Sequence, residues 1–210
     1  MYRRDVPREL RALVPFEIVA LLVVAWLPRP ETVPIAMPLV IVAALARWVR
    51  GRALIEPTLA PLRPGLLGIG VGLVALAVAL GVATPVVDTI ADGVVMWPAY
   101  PMVRGNPMQA AVVALVVVTI AGATELALRG WIVARALELR APAAAAVAVG
   151  ALAEAVVTPG GPVARLGAAL FGAGLGWMYV AGGRSLVAPM AARVAFALGA
   201  LVLEALRIIG

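Results

Sequence analysis

The chain has 210 residues, of which 64% are hydrophobic and 13% are charged. Its mean hydropathy is +1.06, and so little polar surface cannot coat a globule that is dissolved in water. The composition therefore excludes a soluble globular protein. Several apolar runs reach the roughly 20 residues that cross a hydrocarbon core, and the alternating pattern of an outer-membrane barrel is missing. We predict one integral membrane domain over residues 1–210, an all-α polytopic bundle with about seven transmembrane helices.

The net charge of the chain is +6, from 17 Lys and Arg residues against 11 Asp and Glu residues. Membrane proteins carry excess cationic residues on their cytoplasmic flanks, so this surplus indicates topology and requires no nucleic-acid partner. Cys and His are absent from the sequence. Their absence removes thiolate and imidazole ligands, a cysteine nucleophile and histidine acid–base catalysis. We therefore expect neither a cofactor nor a functional transition metal.

Apolar runs predict the spans, which are separated by short polar or proline-rich connections. In chain order they cover about 14–27, 33–49, 65–87, 108–128, 141–157, 163–181 and 185–208. The first run follows a basic start and is interpreted as a retained signal anchor, because no small-residue cleavage site follows it. Residues 1–107 thus hold the N-terminal spans and an extracytoplasmic loop, Asp88 to Pro107. The segment 129–140, after the fourth span, is predicted to be a short amphipathic connection.

Two further patterns concern the predicted helices. Glycines recur in the third and sixth spans, where small residues let helices approach closely; they are Gly68, Gly72, Gly167, Gly172, Gly174 and Gly176. With a cytoplasmic N-terminus, most arginines fall on cytoplasmic flanks, which is the usual asymmetry of membrane proteins. Those left outside are Arg29, Arg104, Arg165 and Arg207.

Ionisable side chains at membrane depth are the candidate functional residues, because each costs roughly 3 kcal/mol to insert and needs a partner or a role. They are Glu17, Glu125, Glu154 and Arg193. Glu204 and Arg207 lie near enough to a span end for their side chains to reach the interface. Glu125 and Arg129 are one helical turn apart, so an ion pair within the helix is one interpretation. Catalysis is the other.

The segment TELALRGW, residues 124–131, resembles the first motif of the CPBP family of CAAX proteases and bacteriocin-processing enzymes. That motif reads Glu-Glu-x-x-x-Arg and is commonly followed by Gly. Glu125 matches the second glutamate, Arg129 the arginine and Gly130 the glycine, whereas Thr124 replaces the first glutamate. The resemblance covers about residues 108–204, which would form a CPBP-like core.

The two histidine motifs of that family fall in segments where this chain has other residues. GGRSLVAPMAARVAFA, residues 182–197, resembles the third-motif region, with Arg193 at the histidine position and Phe196 or Ala197 at the asparagine. In the second-motif region, GALAEAVVTP, the histidine falls near Val157 and the phenylalanine near Ala153. In the family, glutamate and histidines together are thought to activate a water for peptide cleavage. The resemblance thus implies a pseudoenzyme that retains Glu125 and Arg129 as a vestigial motif.

A family-like packing would bring Glu154 and Arg193 towards one cavity, because each lies at or one turn before a lost histidine. We predict that they form an interhelical ion pair beside Glu125 and Arg129, which we call the polar plug. A water-lined path past Glu154 is the alternative.

Three functions follow from these patterns. The first is a catalytically inactive, CPBP-like accessory or scaffold subunit that contacts the lipid bilayer and other membrane subunits. The second is an intramembrane peptidase with a Glu/Arg site, and the third is a small transporter or lipid-handling subunit. We expect a multi-pass protein of a bacterial cytoplasmic membrane with its N-terminus in the cytoplasm.

Overall fold

The computed structural model describes residues 14–26, 38, 41, 62–88, 100–159 and 161–209. The basic N-terminal start, the predicted second span apart from positions 38 and 41, and most of the predicted extracytoplasmic loop lie outside these described residues. Within the described ranges the chain is helical and forms no strand. The all-α prediction is therefore confirmed.

The described ranges form six helical elements in chain order. Helix α1 is Val14–Trp26; α2 is Leu62–Val78, continued by a π-helical turn, Ala79–Ala83, into Thr84–Asp88; α3 is Pro107–Ala127, continued by a second π-helical turn, Leu128–Val133, into Ala134–Glu138; α4 is Ala143–Val157, α5 is Pro162–Ala181 and α6 is Val187–Ala205. Four helical stretches among them are long and apolar enough to cross a membrane, and α4 is a shorter apolar helix. The architecture is a membrane helix bundle, and the count of seven spans stays a prediction.

Local sequence explains where the core helices begin. The side chain of Asn106 accepts a hydrogen bond from the backbone N–H of Gln109 at 3.1 Å, and Pro107 occupies the first position of α3. Pro162 likewise opens α5 after Gly161. A capping side chain satisfies a free N–H of the first turn, and proline suits that turn because its missing N–H would have no partner there. These signals fix the start of both helices.

The segment after the fourth predicted span is helical and buried, so the predicted amphipathic connection is wrong. Residues 107–138 form one continuous helix. Trp131 and Ile132 are each 1% exposed and Val133 is fully buried. The guanidinium of Arg135 lies 4.4 Å from the centre of the Trp131 ring, and this contact places a charge over an aromatic face that attracts it. The apolar side chains of this segment therefore belong to the core.

Helices α2 and α6 pack with almost no side chain between them. A Cβ atom added at Gly72 would collide with the carbonyl oxygen of Ala192, and one at Gly68 would collide with that of Ala188. Both glycines are buried. The close approach predicted for these glycines is present, and it brings α2 against the helix that carries Arg193.

We expect Gly72→Ala to destabilise the protein. The added methyl group pushes α2 away from α6, and overpacking of this kind typically costs about 1–3 kcal/mol, which exceeds the roughly 1 kcal/mol that alanine gains over glycine in a helix. Gly70→Ala is the matched control, because a Cβ at Gly70 meets nothing within 4 Å. Thermal unfolding in detergent should show a lower midpoint for Gly72→Ala alone, and equal midpoints would contradict the close contact.

The C-terminal end of α6 holds the loop that precedes α3. Glu204 is 2% exposed and accepts hydrogen bonds from the backbone N–H of Tyr100 at 2.7 Å and from Arg104 at 3.2 Å. The prediction that Glu204 reaches the interface is therefore wrong, because the loop supplies its partners inside the protein. Burial, with the charge of Glu204 nearby, raises the pKa of the Tyr100 phenol above its ordinary value, so this phenol stays neutral.

Candidate functional site

Four charged side chains from three helices meet in a closed ring of ion pairs. Arg129 donates from Nη1 to Glu125 Oε1 at 3.1 Å and from Nη2 to Glu154 Oε2 at 2.5 Å. Arg193 donates from Nε to Glu125 Oε1 and from Nη2 to Glu154 Oε1. Each carboxylate therefore accepts from both guanidinium groups, and each guanidinium donates to both carboxylates. We call these residues the four-charge ring.

The sequence explains which helices supply the ring. Glu125 and Arg129 lie one turn apart at the junction between α3 and its π-helical turn, so they face the same side. Glu154 comes from the last turn of α4, and Arg193 from the second turn of α6. The four residues that were predicted to lie near one another are thus brought together, and the predicted Glu154–Arg193 pair is present.

Helix α5 contributes a backbone carbonyl to the ring. Arg129 Nη2 donates to the oxygen of Gly172 at 2.6 Å. A Cβ at Gly172 would lie 2.5 Å from Glu154 Oε2 and 2.9 Å from Arg129 Nη2. Gly172 therefore makes room for the ion pair as well as accepting from it. A search for charged residues misses Gly172, and the only sequence signal was the glycine pattern of the sixth predicted span.

The ring is buried and electrically balanced. The side chains of Glu125 and Arg129 are 0% exposed, that of Glu154 is 3% exposed and that of Arg193 is 17% exposed. Removing charges from water carries a penalty of several kcal/mol per ion, which is offset only when the partners and hydrogen bonds are well placed. Two cations alternate with two anions here, so every charge has opposite neighbours. The interpretation of this cluster as a polar plug stays a prediction.

Aromatic rings border the one ring member that is partly exposed. The Arg193 guanidinium lies 5.6 Å from the centre of the Phe171 ring, and the rings of Phe171 and Phe196 are 5.1 Å apart. Phe196 is one of the two positions at which the CPBP resemblance places an asparagine. The polar amide of the family is thus matched, at this position, by part of an aromatic pair.

Thr124, at the position of the first glutamate of the motif, makes a different kind of contact. Its hydroxyl is buried with the residue and donates to the carbonyl oxygen of Ile120 at 2.8 Å. This bond stays within α3, as is common for threonine in helices. Thr124 therefore adds no charge to the ring.

The remaining predicted candidates lie apart from the ring or concern metals. Glu17 is on α1, and the ion pairs of the ring do not include it. Among the described residues, no group of three or more His, Cys, Asp or Glu side chains could hold a metal ion. The expectation of no functional transition metal stays a prediction.

A family model matches residues 106–199, and its description is type II CAAX prenyl endopeptidase, Rce1-like. This part of the chain belongs to the Rce1-like family. The match runs from the residue before α3 into α6, so the Rce1-like segment contains all four members of the ring and Gly172. The predicted resemblance to CAAX proteases is confirmed. No curated protein and no solved structure matches the chain at a significant level.

Proposed function

We propose that the Rce1-like segment is catalytically inactive and that the protein serves as an accessory or scaffold subunit of a membrane complex. The observation that carries the proposal is the four-charge ring. Both of its carboxylates are already bound by two guanidinium groups. The residues that would carry out chemistry in this family instead bind one another.

The chemistry of peptide cleavage explains why this arrangement opposes activity. A general base must accept a proton from the attacking water, and its efficiency depends on a free, suitably basic lone pair. Glu125 Oε1 accepts from two cations, and both oxygens of Glu154 accept from one each. The sequence contains no histidine to share the task, and Arg193 stands at the position where the resemblance places one. A closed ion cluster therefore replaces an acid–base pair.

A cleavage assay tests the proposed inactivity. We expect the purified protein in proteoliposomes to leave a prenylated CAAX peptide intact, under conditions in which an active type II CAAX prenyl endopeptidase cleaves it. Glu125→Gln should give the same result as the wild type. Cleavage by the wild type that Glu125→Gln abolishes would contradict the proposal, because the glutamate would then be a catalytic base.

The scaffold role is supported by the outer faces of the core helices. Large apolar side chains are exposed along α3, with Leu115 71% and Val112 60% exposed. In a bilayer such faces contact lipid or the helices of other subunits. Affinity purification from native membranes in mild detergent should recover the protein with membrane partners in constant proportion, and recovery of the protein alone would argue against a complex.

One observation favours a second candidate function, an intramembrane peptidase with a Glu/Arg site. Glu125 Oε2 accepts no hydrogen bond from the described residues, and the Arg193 side chain is 17% exposed. One carboxylate oxygen thus stays available beside a cation that a substrate could approach. The Glu125→Gln comparison in the cleavage assay separates this candidate from the inactive scaffold.

For localisation, we propose a bacterial cytoplasmic membrane with the N-terminus in the cytoplasm, on the arginine asymmetry of the sequence. The chain has no Cys, so a cysteine introduced at Met102 is unique. Met102 is 55% exposed, in the loop before α3. A membrane-impermeant thiol reagent should label Met102→Cys in intact cells. Labelling only after lysis would reverse the orientation.

A further inference from the structure

The four-charge ring leaves two of its own polar atoms without a partner. Glu125 Oε2 and Arg129 Nε are both buried, and neither forms a hydrogen bond within the part of the chain that the structure describes. Glu125 Oε1, by contrast, accepts two hydrogen bonds. A buried acceptor that has lost its bond to water is unfavourable unless another donor replaces that bond. The carboxylate oxygen therefore requires a donor.

Charge balance restricts what that donor is. The ring holds two carboxylates and two guanidinium groups, so it is neutral as it stands. A bound cation would leave a net positive charge in a buried site, and a bound anion would leave a net negative one, each at the penalty of an unmatched buried ion. A neutral molecule avoids both penalties. It must donate to Glu125 Oε2, and a molecule that also accepts can serve Arg129 Nε.

We propose that the ring binds ordered water, with one water molecule donating to Glu125 Oε2. Water is the smallest neutral molecule that both donates and accepts, and buried waters typically occupy sites of this kind beside otherwise unpaired polar groups. The side of the ring at which it enters is indicated by Arg193, the ring member with the largest exposure, at 17% of its side chain. The cluster is thus a hydrated ion ring rather than a dry plug.

This inference goes beyond the proposed function, because an inactive scaffold and an active peptidase are each able to hold such a water. Its test uses the wild-type full chain in lipid nanodiscs, so it does not depend on the folding of a variant. The experiment is an experimental structure at a resolution that shows ordered waters on the loops. We expect a density peak for a water oxygen within about 2.5–3.2 Å of Glu125 Oε2, the range of a hydrogen bond.

Two results would overturn the inference. One is a protein or lipid donor at Glu125 Oε2 in place of water. The other is no density beside this oxygen in a map that shows waters elsewhere. Neither result depends on the peptide-cleavage assay, which tests inactivity. A failure of the hydrated ring and a failure of the inactive scaffold are therefore distinguishable.

Discussion

Arg129→Ala is expected to cause the largest loss of folded protein among single substitutions in the ring. The change removes hydrogen bonds to Glu125, Glu154 and the Gly172 carbonyl together. It also leaves two carboxylates facing one guanidinium, which places a net negative charge in a buried site. Breaking a buried ion pair by removing one partner typically costs about 3–5 kcal/mol. The measurement is folded yield from membranes, with the thermal midpoint in detergent for any protein that is recovered.

Two comparisons show whether this loss comes from the ring. Arg165→Ala removes an exposed arginine of α5 and should leave yield and midpoint close to the wild type. Glu125→Gln keeps the shape of the side chain and an oxygen that accepts from a guanidinium, so it should be milder than Arg129→Ala. If Glu125→Gln were the more damaging substitution, the stabilising role of Arg129 within the ring would be contradicted.

Gly172→Ala is expected to disrupt the ring without changing any charge. The new Cβ would lie 2.5 Å from Glu154 Oε2 and 2.9 Å from Arg129 Nη2, so the ion pair or α5 must move. Displacing a desolvated pair and overpacking the interface together should cost several kcal/mol. We expect a lower thermal midpoint and a lower folded yield.

Gly174→Ala is the matched control for that substitution. It lies on the same helix, and a Cβ there meets nothing within 4 Å. Alanine is favoured over glycine in a helix by about 1 kcal/mol, so Gly174→Ala should be neutral or slightly stabilising. Equal effects of the two substitutions would show that helix propensity, rather than contact with the ring, decides the outcome.

The helix bundle and the charged members of the ring could be predicted because their signals are strong and local. Long apolar runs admit few structures other than membrane helices. A charge within such a run is rare enough to be informative, so Glu125, Glu154 and Arg193 stood out individually. The resemblance to CAAX proteases then placed their helices side by side. Prediction therefore reached the ion pair between α4 and α6 before any coordinates were considered.

Other features depend on contacts that no local pattern reveals. Gly172 carries no charge, and its role arises because α5 passes directly beside Arg129. Glu204 was expected to reach the interface, but a loop about 100 residues earlier in the chain supplies its partners. The segment after Arg129 resembled a connection because its arginines suggested a polar surface, whereas Arg135 is 3% exposed. In each case the partner is distant in sequence.

The ring also constrains the order in which the protein can mature during synthesis. Helix α3 emerges first and carries its own matched pair, Glu125 and Arg129, so it enters the bilayer without net charge from the ring. Helix α4 then brings Glu154, and Arg129 must face two carboxylates until α6 delivers Arg193. Because an unmatched charge in the bilayer is costly, the core is electrically complete only after the last helix is inserted. A nascent chain that stops before Arg193 therefore carries an unbalanced charge, and this imbalance marks it as unfinished.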